Sequence, residues 1–170
     1  MDLPLKYAVV ERERRYLLAR LPEGVVDSWE VEDHYVTGTR LRLREVWRGD
    51  GTVVRKLTQK VRLGEGPAEV ACTNLYLDDA EWQLLLTLPA DLLTKTRHVV
   101  ERDGVRVVVD EHADGSLVAE IDDGEHPSSD VPAWLEVLAD VTRDEAWTGA
   151  GLAAGTGGIG SAALVQRQGS

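Results

Sequence analysis

The segment Glu11-Arg12-Glu13-Arg14-Arg15-Tyr16-Leu17 lies just inside the amino terminus and sets the pattern for the rest of the chain. Side chains of a β-strand alternate between two faces, so a strand here would put Glu11, Glu13 and Arg15 on the same face. Two carboxylates about 7 Å apart on one strand face can share a hard divalent cation. The adjacent arginine can hold an anion beside that cation. A solvated, salt-bridged strand or helix end would read the same way, so the other segments must decide.

The same alternation of charged and apolar residues returns later in the chain. It is clearest in residues 39–47, where Arg40, Arg42 and Arg44 fall on one face and leucines fall on the other. The Gly49-Asp50-Gly51 sequence that follows is typical of a hairpin turn. The next segment repeats the pattern with lysines at positions 56 and 60. These segments therefore predict antiparallel strands with one charged face.

Short strands separated by turn residues account for most of the chain. The predicted strands are residues 7–18, 29–36, 39–47, 53–63, 69–77, 93–101, 105–111 and 117–122. Asp78 is a suitable N-cap for an amphipathic helix over residues 79–88, which Pro89 would end. A second helix is predicted after Pro132, and a last helical turn around Trp147.

The charged positions of these strands fall on one common face. They are Glu11, Glu13, Arg15, Arg40, Arg42, Arg44, Lys56, Lys60, Lys95, Arg97, Asp110 and Glu120. We predict an α+β fold: an eight-stranded antiparallel β-barrel, or tunnel, with a charged lumen and a few helices packed outside. The alternative is an ordinary half-buried sheet whose polar face lies in open water.

A charged lumen has consequences for what the protein binds. Cations that face one another in a narrow space repel, and their burial costs free energy, so they require an anion. A chain of phosphates suits arginine and lysine side chains best. Carboxylates in the same lumen would be out of place beside a polyanion unless a divalent metal lay between them. The charges therefore predict a triphosphate or polyphosphate ligand with Mg²⁺ or Mn²⁺.

Length and composition set further bounds. We predict one domain over residues 1–150, followed by a flexible tail over 151–170 that is rich in glycine, alanine and serine. The glycine-rich run at 155–160 lacks the lysine of a phosphate loop and belongs to that tail. The formal net charge of -11 argues against a nucleic-acid partner.

The cellular setting follows from what the sequence lacks. Cys72 is the only cysteine, so no intramolecular disulfide can form, which favours a reducing, cytoplasmic location. No apolar run approaches the roughly 20 residues of a membrane helix, so we expect no membrane partner. The oligomeric state stays open, with a homodimer as one alternative.

At this point the segments resemble a known family. Residues 11–17 are similar to the ExExK signature of the CYTH domain, the triphosphate tunnel metalloenzyme superfamily. That superfamily includes thiamine triphosphatases, inorganic tripolyphosphatases, class IV adenylate cyclases and fungal RNA triphosphatases. Further blocks follow in the family's order: Leu41-Arg42-Leu43-Arg44, Lys56-Leu57-Thr58-Gln59-Lys60, Lys95-Thr96-Arg97, Val109-Asp110, Ala119-Glu120-Ile121-Asp122 and Asp140-Val141-Thr142. The resemblance spans about residues 7–152.

The resemblance implies an eight-stranded tunnel that binds a triphosphate with one or two divalent cations. Metal ligands would be Glu11, Glu13, Asp110, Glu120 and Asp122; phosphate ligands would be Arg40, Arg42, Arg44, Lys56, Lys60, Lys95 and Arg97. Glu11, Glu13 and Arg15 would be catalytic. The implied activity is metal-dependent hydrolysis of inorganic tripolyphosphate or a small organic triphosphate. The alternatives are an adenylate cyclase of the same class, or a non-catalytic protein that binds polyphosphate or nucleotides.

The chain departs from the family pattern at several positions. Arg15 replaces the signature lysine that often serves as general base, and an arginine stays protonated, so it can orient phosphate or water but not accept a proton. Asp122 stands where a glutamate is usual. His112 occupies a position that is usually aromatic and apolar, and we interpret it as a packing or hydrogen-bonding substitute.

Overall fold

The computed structural model describes residues 5–155 and consists mainly of β-strands. The strands are β1 Val9–Leu18, β2 Val25–Val36, β3 Leu41–Arg48, β4 Val53–Arg62, β5 Glu69–Tyr76, β6 Ala90–Arg102, β7 Val105–His112, β8 Leu117–Asp122 and β9 Val137–Asp140. The helical elements are α1 Asp79–Leu85, a 3₁₀ turn at Glu145–Trp147 and α2 Gly149–Ala153. The turn around Trp147 is as the sequence predicts.

The first eight strands form a closed antiparallel barrel. Their order around the sheet is β5-β4-β3-β2-β6-β7-β8-β1, and a further pairing of β5 with β1 closes the ring. β1 serves two neighbours along its length: residues 9–12 pair with β5 and residues 13–18 pair with β8. The predicted α+β barrel is confirmed.

The extra strand β9 pairs with residues 16–18 of β1, along the edge that β5 leaves free because it pairs only with residues 9–12. Tyr16 pairs with Asp140 and Leu17 with Ala139, with a register irregularity at the next residue. The predicted helix after Pro132 is therefore wrong: residues 133–136 form a turn and irregular backbone, and Val137–Asp140 form a strand. The spacing of the apolar residues in this segment would also suit a helix. The backbone N–H and C=O groups of β1 that β5 does not pair need hydrogen-bond partners, however, and β9 supplies them.

The outer face of the barrel carries the larger apolar cluster. Its buried members are Tyr16, Leu18, Val100, Val107, Val109, Ala119, Ile121 and Leu135. Leu135 belongs to the segment between β8 and β9, which therefore covers this part of the wall. On another part of the wall α1 buries Trp82 edge-on against His34, with ring centroids 6.0 Å apart. Asp78 caps α1 as predicted, in a capping box with Glu81.

A second apolar cluster lies on the lumen side. Leu17 and Val118 face each other across β1 and β8, in phase with the charged residues of those strands. Val141 and Trp147 pack against them, and Trp147 is only 4% exposed. We call these four residues the Trp147 cluster. By strand phase it lies inside the barrel at the end of β1 that follows Arg15.

The described residues end five positions into the predicted tail. Gly149–Ala153 form α2, while residues 156–170, which hold most of the predicted tail and of its glycine-rich run, lie outside the described part. Within residues 5–155, none of the helices has the length and apolar character needed to span a bilayer.

Candidate functional site

A cavity of about 350 Å³ occupies the charged part of the lumen. It brings together all the predicted catalytic and phosphate-binding residues and one further acidic residue: Glu11, Glu13, Arg15, Arg40, Arg42, Arg44, Lys56, Lys60, Lys95, Arg97 and Glu120. These side chains come from β1, β3, β4, β6, β8 and the turn before β3. They meet because strand alternation points every second residue inward. The predicted metal ligands Asp110 and Asp122 do not line the cavity.

The arginine and lysine side chains that line the cavity form its cationic wall, and Asp33 lies behind this wall, in contact with three of them. Its carboxylate is fully buried and accepts two hydrogen bonds from Arg44, at 2.6 and 2.7 Å. Arg42 Nε lies 3.6 Å and Lys95 Nζ 3.9 Å from the same carboxylate. Burial alone would raise the pKa of Asp33, but Arg44, Arg42 and Lys95 outweigh it and hold the pKa well below the usual range. Asp33 therefore stays ionised and fixes the orientation of Arg44.

Asp110 has the same role for a second set of cations. Its oxygens accept hydrogen bonds from Arg97 at 2.7 and 2.8 Å and from Lys95 at 2.5 Å. Burial opposes ionisation, but the two cations hold the pKa of Asp110 far below its ordinary value. With both oxygens engaged and 2% of the side chain exposed, Asp110 sits behind the cavity wall as a support for Lys95 and Arg97.

Three glutamates form the acidic side of the cavity. Glu11 lies 2.8 Å from Lys60 Nζ, and Glu120 accepts a hydrogen bond from Arg97 at 2.6 Å. Glu13 is the least compensated, since its nearest cation is Lys60 at 3.9 Å. Burial, and then repulsion from Glu120 and Glu11, raise the pKa of Glu13. A cation bound between these carboxylates would relieve that crowding of negative charge.

This acidic group fits a hard divalent cation by the chemistry of its donors. Carboxylate oxygens are the ligands that Mg²⁺ and Mn²⁺ prefer. As arranged here, however, no group of three or more His, Cys, Asp or Glu residues within 5–155 is positioned to share a metal ion. Lys60 and Arg97 would have to release Glu11 and Glu120 for the three glutamates to converge. Asp122 pairs with Glu13 across the strands, but its Oδ1 accepts a hydrogen bond from the amide of Gly124.

Two arginines carry buried donors that no described residue satisfies. Arg15 donates from Nη2 to the carbonyl of Thr142 at 2.8 Å, while its Nε has no hydrogen-bond partner in the described part of the chain. Arg42 donates from Nη2 to Thr58 at 3.1 Å, and its Nε is likewise without a hydrogen bond there. Unpaired buried donors cost free energy, and an anion in the cavity is a natural acceptor for them.

Several residues of the site were not predicted from the sequence. Asp33 and Tyr35 lie on β2, where the alternation was visible but the charged phase was not identified. Asn74 enters from β5 and accepts a hydrogen bond from Thr58 at 2.6 Å. Asp33 is two residues before a tyrosine and in phase with it, and it is the only acidic residue of that phase between Trp29 and Tyr35. That isolated inward carboxylate was the signal that could have identified it.

Backbone from the carboxyl-terminal segment completes the cavity wall. Thr148, Gly149 and Ala150 line it beside Tyr35. A Cβ built on Gly149 would lie 1.8 Å from Tyr35 Oη, so only glycine permits this approach without movement of the tyrosine. Glu145, just before this segment, pairs with Arg62 at 2.6 Å. The segment is therefore held by the ion pair to Arg62 of β4 and by packing against Tyr35 of β2.

Comparison with known proteins supports the fold. No sequence profile of a known family matches the chain, and a search of curated proteins found no match. Two solved structures of one protein are similar. One, described as the hypothetical protein NE1496, is 22% identical with a TM-score of 0.55, over 84% of this chain and 97% of that one. The other, described as the inorganic triphosphatase NE1496, is 21% identical with a TM-score of 0.53, over 84% and 93%. At these identities the likeness shows a shared tunnel fold.

Proposed function

We propose that this chain hydrolyses inorganic tripolyphosphate, or a small organic triphosphate, with the help of Mg²⁺ or Mn²⁺ bound in the barrel lumen. The observation that carries the proposal is the enclosure of cationic and acidic side chains in one cavity, where Nε of Arg15 and Nε of Arg42 have no hydrogen-bond partner among residues 5–155. Two further findings support it: the resemblance of the strand motifs to the CYTH family, and a fold shared with a protein described as an inorganic triphosphatase.

Glu11, Glu13 and Glu120 would hold the metal ion. Such an ion supplies charge neutralisation on the phosphates and a water of lowered pKa. The contribution of these glutamates is to seat it at one side of the phosphate chain. Lys60, which pairs with Glu11 in this structure, would turn to the phosphates as that carboxylate is engaged. Arg97 would keep its hydrogen bonds to Asp110 and exchange only its contact with Glu120 for a phosphate oxygen.

The cationic wall would bind and orient the phosphate chain. Asp33 and Asp110 hold Arg44 and Arg97 in fixed positions, so little side-chain entropy is lost when phosphate binds. Phosphoryl transfer is catalysed mainly by positioning and by neutralising charge, which is what such a wall provides. Arg15 would orient the reacting phosphate or its attacking water, because a guanidinium cannot accept a proton.

The test is a phosphate-release screen on the purified chain. The substrates are tripolyphosphate, thiamine triphosphate, ATP and pyrophosphate, each with Mg²⁺ or Mn²⁺. We expect metal-dependent release from at least one triphosphate, and a loss of about 100-fold or more in Glu13→Gln, because a glutamine cannot neutralise the cation. Glu111→Gln is the matched control: it lies on the outer face of β7 and should retain activity.

A non-catalytic binding protein is the second candidate, and Arg15 in the place of the signature lysine favours it. Such a protein would show a thermal shift with tripolyphosphate and metal, but would release no phosphate between neutral and alkaline pH. Full activity in both Glu11→Gln and Glu13→Gln would contradict the metal assignment. Conversion of ATP to cyclic AMP would identify a cyclase instead.

A further inference from the structure

Lys56 differs from the other lysines of the chain. The sequence has lysines at positions 6, 56, 60 and 95. Lys60 pairs with Glu11 at 2.8 Å and Lys95 with Asp110 at 2.5 Å. Lys56 also lines the cavity, but within residues 5–155 it forms no ion pair with a carboxylate. It is therefore an amine exposed to whatever anion the cavity holds.

The surroundings of Lys56 are cationic. Arg44 is its direct cross-strand neighbour on β3, and Tyr76 is its neighbour on β5. Burial, Arg44 and Arg42 lower the pKa of Lys56 to about 8, with a smaller contribution from Arg97. An amine with a pKa of 8 is roughly one-tenth neutral at pH 7, whereas an ordinary lysine is neutral about once in 2,500. Desolvation next to other cations is a general way of making a lysine nucleophilic.

We propose that Lys56 is a modification site, acylated without an enzyme by acyl phosphates that the cavity draws in. An acyl phosphate is the mixed anhydride of a carboxylic acid and phosphoric acid. Its phosphate would be held by the arginines that surround Lys56, which brings its carbonyl carbon to the amine. The proposal rests on the phosphate-binding part of the proposed function and is independent of hydrolysis.

The reaction is a simple acyl transfer. The neutral Nζ of Lys56 attacks the carbonyl carbon and a C–N bond forms. The bond between the carbonyl carbon and the oxygen that bridges it to phosphorus breaks. Orthophosphate leaves with the electron pair of that bond, and the proton lost from nitrogen passes to phosphate or water. Nothing is oxidised or reduced. The product is a neutral amide, so the cavity loses one positive charge and part of its space.

Acylation of Lys56 would therefore lower the affinity of the cavity for phosphates. The modification is self-directed, because the same cations that attract a substrate also attract the acyl donor. A bound polyphosphate would protect the lysine. The state of Lys56 would then report on the ratio of polyphosphate to acyl phosphate around the protein.

The test uses acetyl phosphate on the folded chain at pH 7.5, followed by digestion and mass spectrometry of each lysine peptide. Lys6, which is exposed, is the internal reference. We expect Lys56 to be acetylated about tenfold faster than Lys6 or more. Lys60 and Lys95 should react more slowly than Lys56, because each amine is engaged in an ion pair, with Glu11 and Asp110 respectively. In the chain unfolded by urea, Lys56 and Lys6 should react at similar rates.

Methylenediphosphonate, a diphosphate analogue that is not hydrolysed, supplies the second arm. It should suppress acetylation of Lys56 and leave that of Lys6 unchanged. Equal rates at Lys56 and Lys6, or a Lys56 rate that the analogue does not affect, would overturn the proposal. Protection of Lys56 without release of phosphate in the substrate screen would refute hydrolysis and support acylation. Hydrolysis with an unreactive Lys56 would do the reverse.

Discussion

Replacing Asp33 by asparagine should destabilise the barrel by about 3 kcal/mol. Removing one partner of a buried ion pair costs roughly 3–5 kcal/mol, because the other charge is left uncompensated. Asp33 is fully buried and accepts two short hydrogen bonds from Arg44, so the full effect applies. Asparagine keeps one acceptor oxygen for Arg44, which places the expected loss at the lower end of that range.

The pH dependence of this loss is also fixed by the structure. The pKa of Asp33 is lowered in the folded state, so its stabilisation is fully present above the ordinary aspartate value of about 3.9 and is lost as the pH falls below it. The difference between wild type and Asp33→Asn should therefore be the same at pH 7 and pH 5. Below about pH 3.9 the difference should shrink, because the unfolded wild type takes up a proton on Asp33 that the folded state still excludes, which favours unfolding.

Urea unfolding followed by tryptophan fluorescence is the appropriate assay. Asp79→Asn is the matched control: it also removes an aspartate paired with an arginine, but its side chain is 92% exposed, and we expect no measurable change. A loss below about 1 kcal/mol in Asp33→Asn would refute the idea that this carboxylate holds the cationic wall. A difference that varied between pH 7 and pH 5 would refute the assignment of an ionised Asp33.

Three further predictions concern the lumen. Trp147→Ala should lower the free energy of unfolding by about 3–5 kcal/mol, because it leaves a cavity in the Trp147 cluster. A urea midpoint close to that of the wild type would contradict this. Gly149→Ala should cost roughly 1–3 kcal/mol by forcing Tyr35 out of place, and a second change, Tyr35→Ala, should recover part of that loss in a thermal melt. If no recovery occurs, the contact with Tyr35 is not what requires glycine. Tripolyphosphate affinity, measured by calorimetry, should fall about tenfold or more between 50 and 500 mM salt, because several cations bind it; a salt-independent affinity would exclude an electrostatic site.

Much of the barrel could be predicted because strand alternation is a local property. The arginines of β3 and the lysines of β4 fall on one face simply by their spacing, and the structure brings them into one cavity. The same reasoning predicted the contribution of Glu11, Glu13 and Glu120 to that cavity. The sign and position of each charge were enough, since a closed sheet has only two faces.

The parts that could not be predicted depend on contacts between distant segments. Val137–Asp140 has apolar residues at spacings that also suit a helix, and only the free edge of β1 makes it a strand. The family resemblance implied that Asp110 binds metal, but in the structure Lys95 and Arg97 hold both its oxygens behind the cavity wall. Asp33 and Asp110 lie buried behind the cavity wall, whereas Glu11, Glu13 and Glu120 line the cavity, although all five point to the same side of the sheet. Strand alternation predicts the side of the sheet but not this difference.

The shared pairing of β1 has a consequence for how the chain is made. β1 is synthesised first, yet its partners on β8 lie about a hundred residues later, and the barrel closes through only the Val9–Arg12 pairs with β5. Closing so long a loop is slow, so residues 13–18 of β1 must wait without their β8 partners until nearly all of the domain has left the ribosome. Residues 9–12 can pair with β5 earlier. Glu13 and Glu120, which lie on the β1–β8 pair, would then come into position only in a late step of folding, so a chain truncated before β8 could not assemble the acidic side of the cavity.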